Sequence, residues 1–286
     1  MPTEIKLDKF ICNIGEQGLL LQDKKGFMPS GHNGPYLHPE TPVRNTGHWI
    51  LLFSKAYQLS LNDKFLDAIK SAADYIISKS GRPTGGGFYH RISGGNDCND
   101  IIGTAWTFES LVEASKVLND EKYIEIGKEV YFKHQYHSKK GVWSRFDAMS
   151  KKGRIDQTFN HQLWFAATSG MLDVQCKSSI SSNSFYFLNN IEYVLMHFDN
   201  GLIFHSSYRK LDIRSKLKSF LNSSLRTMMD LLGKYEVSNN DLRRVDNLIK
   251  KSIGYHSFNM YAFAVLKKQF PNHSYWNESS FKLMLN

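Results

Sequence analysis

Three tryptophans recur at nearly equal intervals, and this repeat limits the possible folds more than any other feature of the sequence. Trp49, Trp106 and Trp164 are separated by 57 and 58 residues. The first two each open an apolar helical pattern, which ends at an Asn-Asp pair and is followed by a second helical pattern. The pairs are Asn62-Asp63 and Asn119-Asp120. A repeat of this length, filled by helix, turn and helix, indicates an array of helical hairpins.

The same patterns predict the individual helices. Helices are expected at residues 4–22, from Pro42 to Ser60, and from the Asn62-Asp63 pair to Ile77, with later ones at Ile213–Leu232, Asp241–Lys250, Ile253–Phe270 and Tyr275–Leu285. Between the first two, Lys24 to Pro42 is rich in Gly and Pro, which predicts a long loop. Ordered loops of this length are commonly functional.

Short glycine-led segments connect the hairpins. Gly87–Arg91, Gly141–Phe146 and Gly201–Ser206 each alternate aromatic and polar residues, which predicts extended connectors at one rim. Helical hairpins form either an open solenoid or a closed ring. The connectors are rich in Gly, His, Arg and Tyr, which suggests that they converge on one site, and a closed ring brings them together. The prediction is therefore an all-α fold, an (α/α)6 toroid that is complete or lacks part of its ring, forming a single domain over residues 1–286.

Composition narrows the class of protein. The chain has 286 residues, is 41% hydrophobic, and contains no Pro/Ser-rich linker, which favours one large domain. Its formal net charge of +9 is scattered, which argues against a nucleic-acid partner and is compatible with an acidic saccharide. Three distant cysteines predict neither disulfides nor a zinc site. Without a signal-like or membrane-spanning run, a cytoplasmic location is expected, and the sequence leaves the oligomeric state open.

One helix face combines a carboxylate, an amide and an indole. Asp156 stands where a helix N-cap is expected, and Asn160 and Trp164 follow at i+4 and i+8. Such a face suits a sugar, which requires hydrogen bonds to its hydroxyls and a flat apolar surface for its ring. The alternative is an ordinary N-cap aspartate above a buried tryptophan.

The run Ile155-Asp156-x-x-x-Asn160-x-x-Leu163-Trp164-x-Ala166 and the hairpin repeat resemble the six-hairpin (α/α)6 glycosidases. The resemblance extends over residues 40–175 and is strongest to the unsaturated glucuronyl and rhamnogalacturonyl hydrolases. It implies a catalytic aspartate at Asp156 and a second one hairpin earlier, at Asp100 in Asp100-Ile101-Ile102-Gly103. The segment Pro42–Trp49 also resembles uncharacterised proteins of this fold from surface-glycan assembly clusters.

Asp100 and Asp156 are one hairpin repeat apart, so in a ring they head adjacent inner helices at the same rim. Glycoside hydrolysis requires one protonated and one ionised carboxyl. Like-charge repulsion and burial beside tryptophan are expected to raise the pKa of one of them. Asp156 is the predicted general acid/base and Asp100 its partner, with Asp97 in reserve. The alternative is that both acids are structural helix caps.

Other polar and aromatic residues are candidates for substrate binding. Arginine binds a uronate carboxylate through its planar fork, and the alternative for each polar candidate is a hydrogen bond at the rim. The tryptophans belong either to the core or to the floor of a subsite. The candidates are Arg44, Asn45, His48, Trp49, His90, Arg91, Trp106, Arg145, Asn160 and Trp164.

A lyase-like arrangement is also present in the sequence. His161 beside Asn160 resembles the Asn-His pair of (α/α) toroid polysaccharide lyases, in which the pair neutralises a uronate. Tyr255 or His256 is then the candidate base for the C5 proton. The alternative is that His161 is an ordinary core histidine.

Three functions follow from these observations. The first is a glycoside hydrolase acting on an acidic oligosaccharide or polysaccharide, with no cofactor and no metal. The second is a uronate C5-epimerase or polysaccharide lyase on the same fold, and the third is a non-catalytic glycan-binding or assembly protein. Nucleotide-binding and metalloprotease motifs are absent, and the loop spacing of His32, His38 and His48 is not diagnostic of a metal site.

Overall fold

The computed structural model describes residues 6–33, 37–92, 96–146, 153–173, 178–205 and 239–285. The predicted helix Ile213–Leu232 lies outside these residues. Helices are α1 (Leu7–Leu21), α2 (Pro42–Ser60), α3 (Lys64–Ile77), α4 (Asp100–Leu118), α5 (Lys122–Tyr131), α6 (Phe159–Met171), α7 (Ser179–Asn189), α8 (Ile191–Val194), α9 (Asn239–Gln269) and α10 (Ser279–Met284), with a 3₁₀ turn at Ser274–Asn277. Strands are β1 (His32–Asn33), β2 (His38–Pro39), β3 (Tyr136–His137), β4 (Val142–Arg145) and β5 (Arg154–Ile155).

The short strands lie in two small sheets. β1 and β2 pair antiparallel, with His32 opposite Pro39. The other sheet has the order β3-β4-β5, and β4 and β5 pair antiparallel, with Ser144 opposite Ile155. β4 occupies the predicted connector Gly141–Phe146, and isolated bridges place Arg91 opposite Glu40 and Ile203 opposite His197. The prediction of extended connectors is therefore confirmed.

The chain divides into two compact units. The first consists of Met1–Tyr136, Trp143–Asp156 and Thr168–Ser181, and the second of His137–Val142, Gln157–Ala167 and Ser182–Asn286. The first therefore contains α1 to α5, and the second contains α8 to α10. The single domain over residues 1–286 stays a prediction.

Two turns with the same geometry confirm the hairpin repeat in the first unit. α2 and α4 both have 19 residues, and each ends at a residue with positive φ, Leu61 at 53° and Asn119 at 52°. In each turn the next side chain accepts a hydrogen bond from the start of the second helix. Asn62 Oδ1 accepts from Lys64 N at 3.1 Å, and Asp120 Oδ1 from Lys122 N at 3.1 Å.

The core of the first unit forms around α2, which packs against α1, α3 and α4. Phe53 of α2 stacks on Phe65 of α3 with ring centroids 6.0 Å apart. α4 is buried along most of its length, including its polar residues Thr104 and Ser110. A helix buried on nearly all sides is an inner helix, and Asp100 lies at its N-terminus.

In the second unit, α9 packs against the first turns of α6. Phe159 and Phe263 have ring centroids 6.4 Å apart, and Gln269 Nε2 donates to Ala167 O at 2.8 Å. The C-terminal residues close this core, since Phe263 also contacts Trp276 and Phe281. Within the described ranges, no helix combines the length and apolar character needed to cross a bilayer.

Two sequence-based boundaries are wrong. α6 begins at Phe159, so Asp156 is not its N-cap: Arg154-Ile155 pairs with β4 in extended conformation, and Thr158 O accepts the bond from Gln162 N. The predicted helices Asp241–Lys250 and Ile253–Phe270 form one continuous helix, α9. No proline separates them, and a single glycine such as Gly254 costs a helix only about 1 kcal/mol.

Candidate active site

Asp100 begins α4 in a backbone conformation that is rare for its residue type. Asn99 and Asp100 are consecutive non-glycine residues with positive φ, at 55° and 54°. Asn and Asp tolerate the left-handed region best because their short polar side chains bond locally. Such conformations persist only where the surroundings enforce them, and they cluster at functional sites.

Two side chains hold Asp100 in this position. Its backbone N–H donates to Asn96 Oδ1 at 2.7 Å, and Asn96 Nδ2 donates back to Asp100 Oδ2 at 3.0 Å. Arg145 Nη1 donates to the other carboxylate oxygen, Oδ1, at 2.6 Å in an ion pair. Both carboxylate oxygens and the backbone of Asp100 are thereby fixed. Sequence reasoning identified Arg145 as a sugar ligand and missed Asn96.

Asp156 approaches the same helix end from the loop after β5. Its side chain is 5% exposed, and its Oδ2 accepts a hydrogen bond from Ile101 N at 3.4 Å. Oxygens of the Asp100 and Asp156 carboxylates lie within 4.8 Å of each other. Asp156 thus lies at the N-terminus of α4, whose unpaired N–H groups and dipole favour negative charge.

We call Asp100 and Asp156 the acid pair. Two carboxyls at this distance, one fixed by an arginine and an amide and the other buried, have different environments. Different environments are what allows one carboxyl to carry a proton while its neighbour remains ionised. The arrangement is therefore chemically able to perform acid/base catalysis at a glycosidic bond.

Two buried histidines lie beneath this helix end in the first unit. His90 Nε2 bonds to Thr107 Oγ1 of α4 at 3.1 Å, and burial, assisted by the charge of Arg44, lowers the pKa of His90 to about 3. His134 Nδ1 bonds to Ser144 O at 3.2 Å, and burial lowers its pKa to about 4 although Asp156 opposes the shift. Both imidazoles are neutral at pH 7. Among the described residues, no group bonds His90 Nδ1.

Arg44, near the start of α2, lies over the indole ring of Trp106 in α4. Its guanidinium is 4.4 Å from the centre of the Trp106 ring, and its Nη1 donates to the buried Glu40 carboxylate at 2.8 Å. The side chain of Arg44 is 25% exposed. A guanidinium stacked on an indole and anchored at one nitrogen is positioned to bind a planar anion.

His48 lies one turn after Arg44 and also faces Trp106, with ring centroids 5.7 Å apart. Its side chain is exposed, yet burial and the charge of Arg44 lower its pKa to about 4. His48 is therefore accessible and neutral at pH 7.

Other predicted residues of the first unit serve the loop and the helices. Asn45 Nδ2 donates to Pro29 O at 2.8 Å, which anchors the loop before α2. Trp49 packs against Gly18 of α1 and Phe53. Asp97 accepts backbone hydrogen bonds from His90 and Arg91 through its carbonyl oxygen, at 2.7 and 3.0 Å. The predicted roles of these residues in substrate binding and catalysis stay predictions.

The second unit contains the remaining candidates. Trp164 is 6% exposed and stacks on Tyr261, while Tyr255 stacks on His205. His256 uses both ring nitrogens: Nδ1 accepts from Ile203 N at 3.5 Å and Nε2 bonds to Met284 O at 3.1 Å.

The Asn-His pair of the lyase hypothesis lies at the start of α6. Asn160 is buried, with no hydrogen bond to its Oδ1 from the described part of the chain. The neighbouring His161 is partly exposed. The pair is thus present on the first turn of a helix, and its role stays a prediction.

A comparison with known sequences identifies the family. The chain is 37% identical over 273 residues to archaeal glycosylation protein Q from Haloferax volcanii, and the match covers 95% of this chain and 73% of that protein. This chain belongs to the same family as archaeal glycosylation protein Q. No protein-family model matches the sequence.

A solved structure with a TM-score above 0.5 confirms the fold class of this family member. Cellobiose 2-epimerase from Bacillus thermoamylovorans is similar with a TM-score of 0.63 and 11% identity, covering 98% of this chain and 70% of the epimerase. A GH76 α-mannanase from Bacteroides thetaiotaomicron gives a TM-score of 0.47 and 15% identity over 58% of this chain and 48% of its own. The fold is all-α and of the (α/α)6 class, as predicted. The closer resemblance to uronyl hydrolases stays a prediction.

Proposed function

We propose that this chain is a carbohydrate-active enzyme that hydrolyses glycosidic bonds in an acidic oligosaccharide or polysaccharide. The observation that carries the proposal is the acid pair, whose carboxylate oxygens lie within 4.8 Å of each other at the N-terminus of an inner helix. The family supports a glycan as the substrate, since its Haloferax volcanii member is named a glycosylation protein.

The contacts of the acid pair suggest a role for each carboxyl. Asp100, bound by Arg145 and Asn96, acts as the ionised partner. Burial and repulsion by the Asp100 carboxylate outweigh the helix dipole at Asp156, so Asp156 carries the proton and donates it to the leaving oxygen. The glycosidic C–O bond then breaks, the oxygen of one water forms the new bond to the anomeric carbon, and a proton of that water restores the acid pair.

Arg44 supports an acidic substrate. Arg145 is committed to Asp100, whereas Arg44 bonds Glu40 through one nitrogen and is partly open to solvent. A bidentate bond between this fork and a carboxylate is stronger than a neutral hydrogen bond and selects a uronate over a neutral sugar. Trp106 holds the guanidinium in place from below.

One observation favours the epimerase or lyase alternative. His48 is accessible, neutral at pH 7 and one helical turn from Arg44, so it is able to accept a proton from a carbon next to a carboxylate bound by Arg44. A pKa near 4 makes it a weak base at neutral pH, which is why hydrolysis by the acid pair is preferred. His256 is a poorer candidate because backbone groups bond both of its ring nitrogens.

The reaction class is tested by incubating the protein with defined uronate-containing oligosaccharides in H₂¹⁸O and, separately, in D₂O. Hydrolysis predicts cleavage with one ¹⁸O at each new reducing end and no deuterium at C5. Deuterium at C5 without cleavage supports the epimerase, and cleavage with a new double bond and no ¹⁸O supports the lyase. Binding of these oligosaccharides without cleavage or deuterium exchange supports a non-catalytic glycan-binding protein and contradicts the hydrolase proposal.

A further inference from the structure

The second unit contains a pocket that shares no residue with the acid pair. Its volume is about 340 Å³, and it is lined by Phe185 and Asn189 of α7 and by residues 270–274, which follow α9. Ligand sites for small molecules begin at roughly 300 Å³. The pocket therefore has room for about one sugar ring and not for a long chain.

An aromatic ring forms one wall of this pocket. Phe185 is 40% exposed, and its ring meets Phe270 edge-on at 5.7 Å and His273 edge-on at 4.8 Å. These contacts hold the ring on its protein side and leave part of it open. A fixed, partly open ring provides a flat apolar surface for the C–H groups of a sugar.

A buried histidine orients the principal polar group. His273 is 7% exposed, and its Nδ1 accepts a hydrogen bond from Tyr275 N at 3.1 Å, so the ring proton is on Nε2. Nε2 donates to Asn189 Oδ1 at 2.9 Å. Burial lowers the pKa of His273, which keeps the ring neutral at pH 7. The Asn189 amide is thereby fixed with its oxygen toward His273, and its NH₂ group remains as a preoriented donor.

The lining is polar without charge. Asn189, Asn272 and Ser274 supply amide and hydroxyl groups, and none of the lining residues is Lys, Arg, Asp or Glu. A uronate or a phosphate would lose its hydration here without gaining a countercharge. Neutral hydroxyls match the amide and hydroxyl groups directly.

We propose that this pocket binds a single neutral sugar unit, separately from the acid pair. The ring packs on Phe185, and its hydroxyls bond the Asn189 amide and the polar groups of residues 272–274. The proposal goes beyond the hydrolase function and does not depend on it. The ligand of this pocket is a neutral sugar, whereas the proposed ligand of Arg44 is a uronate.

The test is saturation-transfer NMR with methyl glycosides of glucose, mannose and galactose, and with methyl glucuronide as the charged comparison. Asn189→Asp keeps the oxygen that accepts from His273 and removes the NH₂ donor, while Phe185→Ala removes the wall. The control is Tyr193→Ala, which removes a 62% exposed ring of α8 that lies outside the pocket.

At least one neutral glycoside is expected to bind the wild type, and both pocket variants to lose about tenfold or more in affinity. The control should bind as the wild type does. The proposal is overturned if no neutral glycoside binds, if Asn189→Asp and Phe185→Ala retain wild-type affinity, or if methyl glucuronide binds as well as the neutral glycosides and loses the same affinity in both variants. Should Phe185→Ala not fold, the same comparison is made with the exposed Asn272→Ala. Hydrolysis of acidic oligosaccharides by the variants is measured in parallel and stays unchanged if the two sites are independent.

Discussion

At the scale of single residues, the position of the Asp100 carboxylate depends on Asn96 and Arg145. The Asn96 amide both accepts from the Asp100 backbone and donates to its side chain, so one residue fixes a left-handed backbone and a carboxylate together. Arg145 completes the arrangement at the other oxygen. Asn96 is therefore a positioning residue for the proposed reaction.

Asn96→Asp is expected to lower kcat about 10- to 100-fold with little change in KM, because the lost bond involves a charged partner and a second carboxylate now repels Asp100. Steady-state kinetics on an acidic oligosaccharide measures the effect. Asn119→Asp is the matched control, since Asn119 also has positive φ but lies exposed at the other end of α4. Equal losses in both variants, or a change confined to KM, would contradict the assignment.

Sequence patterns could predict the acid pair but not its surroundings. Asp100 and Asp156 were expected together from the hairpin repeat and the resemblance to glycosidases. The sequence does not predict the local position of Asp156. Arg154-Ile155 forms strand β5, and α6 begins at Phe159, three residues after Asp156. Asn96 was missed because its two bonds exist only once Asn99 and Asp100 adopt positive φ, which no sequence spacing reveals.

At the scale of elements, hairpin boundaries follow from short-range chemistry. Pro42 follows the capping Thr41, whose side chain accepts from Val43 N, and α2 begins and ends where the sequence predicts. At the Asn-Asp turns, Asn62 and Asp120 accept from Lys64 N and Lys122 N, the first N–H groups of α3 and α5. α9 was divided wrongly because Gly254 resembles a helix stop, although the tertiary packing of its apolar face overrides that signal.

Two glycines predict opposite effects of the same substitution. At Gly18 of α1, an added Cβ would lie 2.1 Å from the Trp49 ring, so Gly18→Ala should destabilise the protein by about 1–3 kcal/mol through overpacking. At Gly254 of α9, an added Cβ meets nothing within 4 Å, so Gly254→Ala should stabilise by about 0.5–1 kcal/mol. Urea unfolding measures both. A stabilising Gly18→Ala would show that Trp49 does not pack on α1 as described, and a destabilising Gly254→Ala would show that the position of Gly254 in α9 is not open.

At the scale of the whole molecule, buried neutral histidines make stability depend on pH. His90 has a pKa of about 3 when folded and an ordinary value of 6.5, and His134 is lowered to about 4. Below pH 6.5, and down to the pKa of each folded-state histidine, His90 and His134 are protonated in the unfolded chain and neutral in the folded chain. Stability is therefore lost as the pH falls below about 6.5.

Wild-type protein is expected to lose about 2 kcal/mol between pH 7 and pH 5 through His90 alone. His90→Gln removes this contribution, so its unfolding free energy should fall less over the same interval, whatever its stability at pH 7. Urea unfolding at the two pH values measures the difference. The control, His38→Gln at an exposed histidine, should retain the wild-type dependence. An unchanged dependence in His90→Gln would mean that His90 is not held neutral.

The acid pair as the centre of catalysis is tested most directly by Asp156→Asn. The amide oxygen of asparagine is still able to accept from Ile101 N, so the contact with α4 is preserved while the exchangeable proton is lost. Turnover, substrate affinity and unfolding midpoint are measured on the same preparation with a uronate-containing oligosaccharide. We expect a loss of about 10²- to 10⁴-fold in kcat with affinity and stability retained. Turnover close to that of the wild type would show that Asp156 is a structural cap and would remove the hydrolase proposal.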